Sequence, residues 1–367
     1  MNPLAYLLAL NRLPRLSPGK LAHLLDLYQG DAAAVWTEYR RWPQLISISA
    51  DAFADIQRSR QTISPQELYY EYLQSGVSVV TYLDAEYPPE LRLIEDPPCV
   101  LFYKGRLPKP GEPALALIGS RHASGYGRQV AEILARDLAY QGYTIVSGMA
   151  RGIDSFCHQA ALKAGGRTVA VLGSGLDVIY PRENAALYRQ IYEQGAVISE
   201  FPLGTAALSY NFPRRNRIIS ALALGVVVIE AGLKSGTLRT VDYALEQGKD
   251  VFAVPGPITS ASSRGTNRLL RDGAKIVLSA EDVWREYQEA EKPKPQAAEA
   301  AGEEEKTLSV QEKELFTAML LPLHFDRLSQ ISGMDAAALA SWLTIMEIRG
   351  LVRQLPGNYY QAVVKKI

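Results

Sequence analysis

Residues 211–220, Asn-Phe-Pro-Arg-Arg-Asn-Arg-Ile-Ile-Ser, place an aromatic ring and three guanidinium groups in the first turns of an expected helix. Pro213 suits a first helical position, and Ile218, Ile219 and Leu222 continue as an apolar face. The start of a helix already carries partial positive charge, so Arg214, Arg215 and Arg217 oppose the dipole of their own helix. Local rules are broken in this way chiefly at functional sites. A polyanion would relieve the conflict: guanidinium forks and backbone N–H groups converge on phosphate, and Phe212 offers a face to a base. Salt bridges to nearby acids would satisfy the same arginines, and the segment alone does not separate the two readings.

A second group of residues shares one chemistry. Apolar runs end in Gly119-Ser120-Arg121, in Ser147-Gly148 leading to Arg151-Gly152, in Gly173-Ser174-Gly175, and in Ala231-Gly232 leading to Ser235-Gly236-Thr237. Glycine permits close backbone approach, hydroxyls donate hydrogen bonds, and helix starts supply oriented N–H groups. Along one rim, such turns amount to an extended phosphate cradle, although small residues also make tight strand-to-helix turns for purely structural reasons.

Other chemistries fail on spacing. Gly125-Tyr126-Gly127 is followed by Val130 where a dinucleotide fingerprint wants glycine or alanine, and no G-x-x-x-x-G-K-[ST] occurs. Asp154 and His158 stand four apart on one helix face, the spacing of a local brace, and no nucleophile elbow G-x-S-x-G accompanies them. Asp177, Asp242, Glu200 and Glu230 form no spaced acid–base or metal pair; Glu200, before Phe201-Pro202, is the carboxylate best placed for a role. No catalytic residue, metal or cofactor is expected.

These residues need a scaffold, and the chain supplies an alternating one between about 111 and 288. Strand-like runs occur at 114–120, 143–148, 167–175, 196–200, 225–232, 250–256 and 274–279, with helical patterns at 127–140, 153–164 and 235–247. Continuous apolar strands separated by helices predict an α/β fold, a Rossmann-like parallel sheet covered on both faces. In such a sheet ligands bind beyond the carboxyl ends of the strands, where the glycine turns fall. Residues 1–75 read as a small N-terminal helical domain. Its Leu10–Leu25 stretch resembles a helix-hairpin-helix around Ser-Pro-Gly, but with Lys20 as the hairpin's basic residue it is better read as a helical cap. Residues 76–110, with Pro-Pro at 88–89 and 97–98, read as an extended connection packing on the core. Residues 289–307, rich in Pro, Ala and Glu, read as a flexible linker. Helical patterns near 309–320, 326–332 and 335–349, followed by a Pro-Gly-Asn hairpin, predict a winged helix over 308–367.

Composition bounds the partners. The 367 residues carry 39 Lys plus Arg against 39 Asp plus Glu, so any nucleic-acid site must concentrate its charge locally. Cys99 and Cys157 make no disulfide framework, and the four scattered histidines share no metal-ligand spacing with them. The apolar start is shorter than a membrane span and lacks a basic n-region, so a cytoplasmic location is expected.

Assembled in order, IGSR (118–121), SGMARGIDSFCHQAAL (147–162), VLGSGLDVIYPREN (171–184), SEFPLGT (199–205), NFPRRNRIIS (211–220), EAGLKSGTLRTVDYALEQGKDVFAVPG (230–256) and GTNRLLRDGA (265–274) resemble the DNA-processing protein A (DprA/Smf) family. DPPCVLFYKG (96–105) fits as well. The resemblance implies a non-enzymatic core that binds single-stranded DNA, protects incoming strands in natural transformation and helps load the RecA recombinase, usually as a homodimer. It further implies that Gly119, Ser120, Arg121 and the Ser147, Gly148, Arg151, Gly152 loop contact phosphates. By the same likeness Arg214, Arg215, Asn216 and Arg217 clamp the backbone, Phe212 meets a base, and Lys234, Ser235, Gly236 and Thr237 close the pocket.

Two alternatives carry distinct signatures. A phosphoribohydrolase-like Rossmann enzyme needs P-G-G-x-G-T-x-x-E, whereas residues 232–240 read GLKSGTLRT, with Thr240 where the acid belongs. A duplex-reading regulator needs a polar recognition helix, whereas residues 335–350 hold Arg349 as their basic residue. Protein contact therefore suits that module better, with Arg353, Lys365 and Lys366 available to phosphates.

Overall fold

The computed structural model describes residues 2–291, 315–316, 318–319, 322–349, 351–355 and 357–362. The chain forms two compact units, Met1–Leu245 with Lys249–Trp284, and Glu246–Gly248 with Arg285–Ile367.

Six helices lead the first unit: α1 (Pro3–Asn11), α2 (Pro18–Leu27), α3 (Ala32–Thr37), α4 (Trp42–Leu45), α5 (Ala50–Thr62) and α6 (Pro65–Ser75). Asn2, Ser17, Asp31, Ser49 and Ser64 each accept a backbone N–H at a helix start, which satisfies an orphan donor and fixes where the helix begins.

The sheet that follows contains β1 (Ser78–Thr81), β2 (Val100–Gly105), β3 (Ala114–Gly119), β4 (Thr144–Ser147), β5 (Thr168–Val171), β6 (Ala196–Ser199), β7 (Gly225–Glu230), β8 (Asp250–Ala253) and β9 (Lys275–Ile276). Helices α7 (Gly125–Tyr140), α8 (Ile153–Lys163), α9 (Ala185–Gln194), α10 (Asn211–Ala221), α11 (Leu238–Glu246) and α12 (Arg264–Arg271) connect its strands, and α13 (Glu281–Glu291) follows β9. The order is β1-β2-β6-β5-β4-β3-β7-β8-β9. From β6 to β9 the strands run parallel; β2 pairs antiparallel with β6 and β1 with β2. The stretch 76–110, read from sequence as a connection, thus contributes two strands to the sheet edge.

Successive residues of a strand face opposite sides of a sheet. On β5, Val169 and Val171 join one buried apolar cluster with Ile218 and Ile219 of α10 and Leu222 just after it, while Ala170 joins another with Leu187 and Ile191 of α9. That second cluster also holds Leu8, Leu10, Leu21, Leu24, Leu25 and Trp42, so the N-terminal helices share a core with one face of the sheet. The turn at Ser17-Pro18-Gly19 is packed inward: the Gly19 N–H donates to the Asp96 carboxylate. This fits the cap reading of that hairpin.

The sheet order reverses between β3 and β7. The chain leaving β3 goes by α7 to β4, and the chain leaving β7 goes by α11 to β8, on the other side. The crevice of an open α/β sheet lies at such a switch point.

In the second unit, α14 (Phe325–Ser332) and α15 (Ala336–Ile348) pack with a sheet of β10 (Leu323–His324), β12 (Tyr359–Ala362) and β11 (Val352–Leu355), in that order. Leu328, Leu339, Leu343, Met346 and Val352 form its core. Gly357 and Asn358 both take positive φ, 77° and 64°, as the tight turn between β11 and β12 requires. Most of the expected helix 309–320, nearly all of the linker 289–307, and Lys365 and Lys366 lie outside the described residues. Among the described residues no helix is long and apolar enough to cross a membrane.

Candidate functional site

The arginine-rich turn divides into three roles. Helix α10 begins at Asn211, two residues earlier than expected from Pro213, which occupies the third position, still within the turn whose N–H groups lack helical partners. Arg217 is buried, and its Nη1 and Nη2 each donate to an oxygen of buried Glu200 at 2.8 Å. Its Nε donates to the Asp96 carbonyl at 3.1 Å. This guanidinium faces the interior, and the salt-bridge reading holds for it. Arg214 reaches the same carboxylate at 3.1 Å and lies over the Phe201 ring, but its side chain is 44% exposed, against 6% for Arg217 and 2% for Glu200. Glu200 is already neutralised by Arg217, so Arg214 carries surplus charge and can leave without stranding a buried ion.

Arg215 is buried beneath the crevice. Its Nη1 donates to the Gly148 carbonyl at 2.8 Å and to the Val171 carbonyl, and its Nε to the Asn216 side chain at 3.2 Å. Burial lowers its pKa to about 10, opposed by the charge of nearby Asp154. Asp154 is raised by burial against the pull of Arg215 and of backbone N–H groups at Ala150 and Gly148. Gly148 leaves room for this packing, because a Cβ there would fall 2.7 Å from the Arg215 guanidinium carbon and force it to shift.

Above this pair opens a cavity of about 590 Å³ at the β3/β7 switch point. Gly119, Ser120 and Arg121 from the end of β3, Phe212, Arg215 and Asn216 from α10, and Lys234, Ser235, Gly236 and Thr237 after β7 all line it. Thr237 joins two of these walls, its Oγ1 donating to the Gly119 carbonyl at 3.0 Å and accepting from Ser235 Oγ at 2.9 Å. The Arg121 guanidinium lies 4.9 Å from the Phe212 ring centroid, and the Tyr180 ring lies 5.5 Å away. Phe212 is therefore flanked by Arg121 and Tyr180 while still lining the cavity. Arg121 and Lys234 are exposed and have no carboxylate partner among the described residues. Asp154 is the one carboxylate lining the cavity, against the cations Arg121, Arg215 and Lys234.

The remaining expected residues stand apart from the cavity lining. Ser147 is buried, donating to the Leu117 carbonyl at 2.6 Å. Gly148 and Gly152 shape the loop, Gly152 with a φ of 76° and no room for a Cβ beside the Ser120 carbonyl. Arg151 is exposed and pairs with Glu183. Ser174 donates to the Val178 carbonyl at 2.8 Å, so the third glycine turn is closed on itself.

Asp154 and His158 do not brace one another. His158 Nδ1 lies 2.6 Å from Thr168 Oγ1, whose own hydroxyl donates to the Ile145 carbonyl. The imidazole thus carries its proton on Nδ1, and its buried Nε2 has no partner. Ala150 belongs to the expected 147–152 loop, whereas Asp154 and Ser209 as cavity walls, and Asp96 as a partner of Arg217, were missed from sequence. Nothing in their local spacing marks them, because their partners are distant along the chain. Among the described residues no cluster of three His, Cys, Asp or Glu could hold a metal.

The profile of the DNA recombination-mediator protein A family matches residues 78–288, and that of the DprA winged helix domain matches 292–358. The chain belongs to the DNA recombination-mediator protein A family. It is 40% identical to Protein Smf of Escherichia coli (strain K12) over 279 residues, 74% of each chain. It is 41% identical to DNA processing protein DprA of Streptococcus pneumoniae over 242 residues, 64% of this chain and 86% of that one. The solved structure of DNA processing protein A from Streptococcus pneumoniae superposes with a TM-score of 0.65 at 34% identity, covering 78% of this chain and 99% of that one. A second, DNA processing protein A from Helicobacter pylori, gives 0.52 at 29% identity over 58% and 96% of the two chains; that structure is described for its single-stranded DNA binding mode. Membership of the DNA recombination-mediator protein A family accounts for both the Rossmann-like sheet and the winged helix.

Proposed function

We propose that this protein is a recombination mediator that binds single-stranded DNA at the β3/β7 crevice and carries out no covalent chemistry on it. The observation that carries the reading is the composition of that crevice. Two exposed cations without acidic partners, Arg121 and Lys234, stand over the buried Arg215, beside hydroxyls of Ser120, Ser235 and Thr237. Point charges and short donors of this kind suit the phosphates of a threaded strand. Arg214 adds a further cation able to swing from Glu200 toward a phosphate.

Three carboxylates that the hydrolase alternative could use are already engaged. Both oxygens of Glu200 are held by Arg217. Glu230 accepts from the Ser124 N–H and Ser262 Oγ, and Asp154 lies buried beside Arg215. A general acid or base must reach its proton, and none of the three is free to do so. Loading of RecA, protection of strands in transformation and assembly as a homodimer are consistent with membership of the family and are proposed with this reading.

The test is a titration of a labelled oligothymidylate at several salt concentrations. The Arg121→Ala/Lys234→Ala variant loses two phosphate contacts, which should lower the log–log salt slope by about 1.4, at roughly 0.7 per contact on single strands. Equal affinity and slope in both proteins would remove the crevice from consideration.

A further inference from the structure

The N-terminal helices reach α10 through a line of polar contacts that the crevice itself does not use. Asp96, ahead of β2, is bonded in two directions. Its carboxylate accepts the Gly19 N–H in the first turn of α2, and its carbonyl accepts Arg217 Nε at 3.1 Å. Arg217 Nη2 also lies 3.8 Å from the Asp96 carboxylate. Beyond Arg217, the segment around Glu200 is tied to the same helices. Asn11 of α1 donates to the Glu200 carbonyl at 3.5 Å, and the Leu203 N–H donates to the hydroxyl of Tyr72 on α6 at 3.0 Å. Arg217 is thus held on one side by Glu200 and on the other by Asp96, whose carboxylate accepts the Gly19 N–H of α2.

The neighbours of Arg217 on α10 are Arg215 and Asn216, both walls of the crevice. No side chain caps the start of α10. A buried guanidinium cannot move away from its partners without stranding charge, so the position of α10 follows that of Glu200 and Asp96. We infer that Asp96 is a positioning residue for the strand-binding crevice, through which the N-terminal helices set its affinity without touching a nucleotide. The inference rests on the proposed single-strand function, and it gives the N-terminal helices a part in that function.

Charge makes the inference testable by sign. Asp96 carries a negative charge beside Arg217 and does not line the crevice, and removing a negative charge near a polyanion site should tighten binding if electrostatics alone acts. Positioning predicts the opposite. In titrations of a labelled oligothymidylate, Asp96→Ala should weaken binding by at least about fivefold, the lower end of ordinary coupling between sites. Its salt slope should equal that of the wild type, because no phosphate contact is lost. Asp96→Asn, which keeps an acceptor for Gly19, should stay within about twofold of wild type on the same scale. Gly19→Pro, which deletes the donor from the other end, should reproduce the loss, and it serves where Asp96→Ala fails to fold. Tightening in the two Asp96 variants, or affinity unchanged in Asp96→Ala and Gly19→Pro, overturns the inference. Absence of binding by the wild type overturns the function instead, and is seen before any variant is made.

Discussion

Replacing Arg217 by alanine should cost stability and leave the salt dependence of binding intact, although its neighbours in sequence face the crevice. The side chain is 6% exposed and donates to both oxygens of a carboxylate that is 2% exposed. Deleting one member of a buried pair strands the other, at a cost of roughly 3–5 kcal/mol. Arg214 remains 3.1 Å from Glu200 and half-exposed, so part of the charge stays compensated. The lower end, about 3 kcal/mol, is then expected, and at about 2–4 °C per kcal/mol for large domains the thermal midpoint should fall by about 6–12 °C. Thermal unfolding followed by circular dichroism measures this directly. The matching oligonucleotide titration, run well below the variant's midpoint, should show a wild-type salt slope. A midpoint within about 2 °C of wild type, or a slope reduced by about 0.7, would mean that Arg217 serves phosphate and that the ion-pair argument is wrong.

Other consequences follow from the same geometry. Burial lowers the pKa of His158 to about 3 from an ordinary 6.5, so on acidification the unfolded chain takes up the proton first. Its contribution to stability is therefore present above pH 6.5 and is lost as pH falls toward 3, at up to about 1.4 kcal/mol per pH unit. His158→Gln should show a shallower loss than wild type in urea titrations across that window, and parallel curves would refute the assignment. Gly148→Ala forces a methyl group against the Arg215 guanidinium, which should cost about 1–3 kcal/mol and weaken strand binding as Arg215 is displaced. Unchanged binding with unchanged stability would show that the crevice floor is softer than its contacts imply.

The central parallel strands were legible because they are largely apolar runs, several of them separated by helical patterns, and on β4 to β7 every residue is buried. Strands β1 and β2 were not, because β1 is a run of four residues with Ser78 and Thr81 at its ends and their pairing is antiparallel at an edge. At the site, the glycine turns after β3 and β7 and their hydroxyls announced the crevice, since that chemistry is local, whereas the turns after β4 and β5 stand apart from its lining. The division of labour among Arg214, Arg215 and Arg217 was invisible. It is decided by partners at Glu200, Gly148, Val171 and Asp96, up to 121 residues away along the chain. Local sequence showed that the charges conflict with their helix; only the tertiary fold showed which of them the interior had already neutralised.

The hydroxyl of Thr237 has an implication for substitutions around the mouth. By spanning from the segment after β7 to the Gly119 carbonyl, it stitches together two chains that otherwise turn away from each other. The gauge of the opening then rests on main chain and this short tether, whereas its charge comes from the long cationic side chains at the lip. Width and charge can therefore vary separately: exchanging a lip residue alters the charge of the mouth, while removing the Thr237 hydroxyl loosens the joint between its two walls.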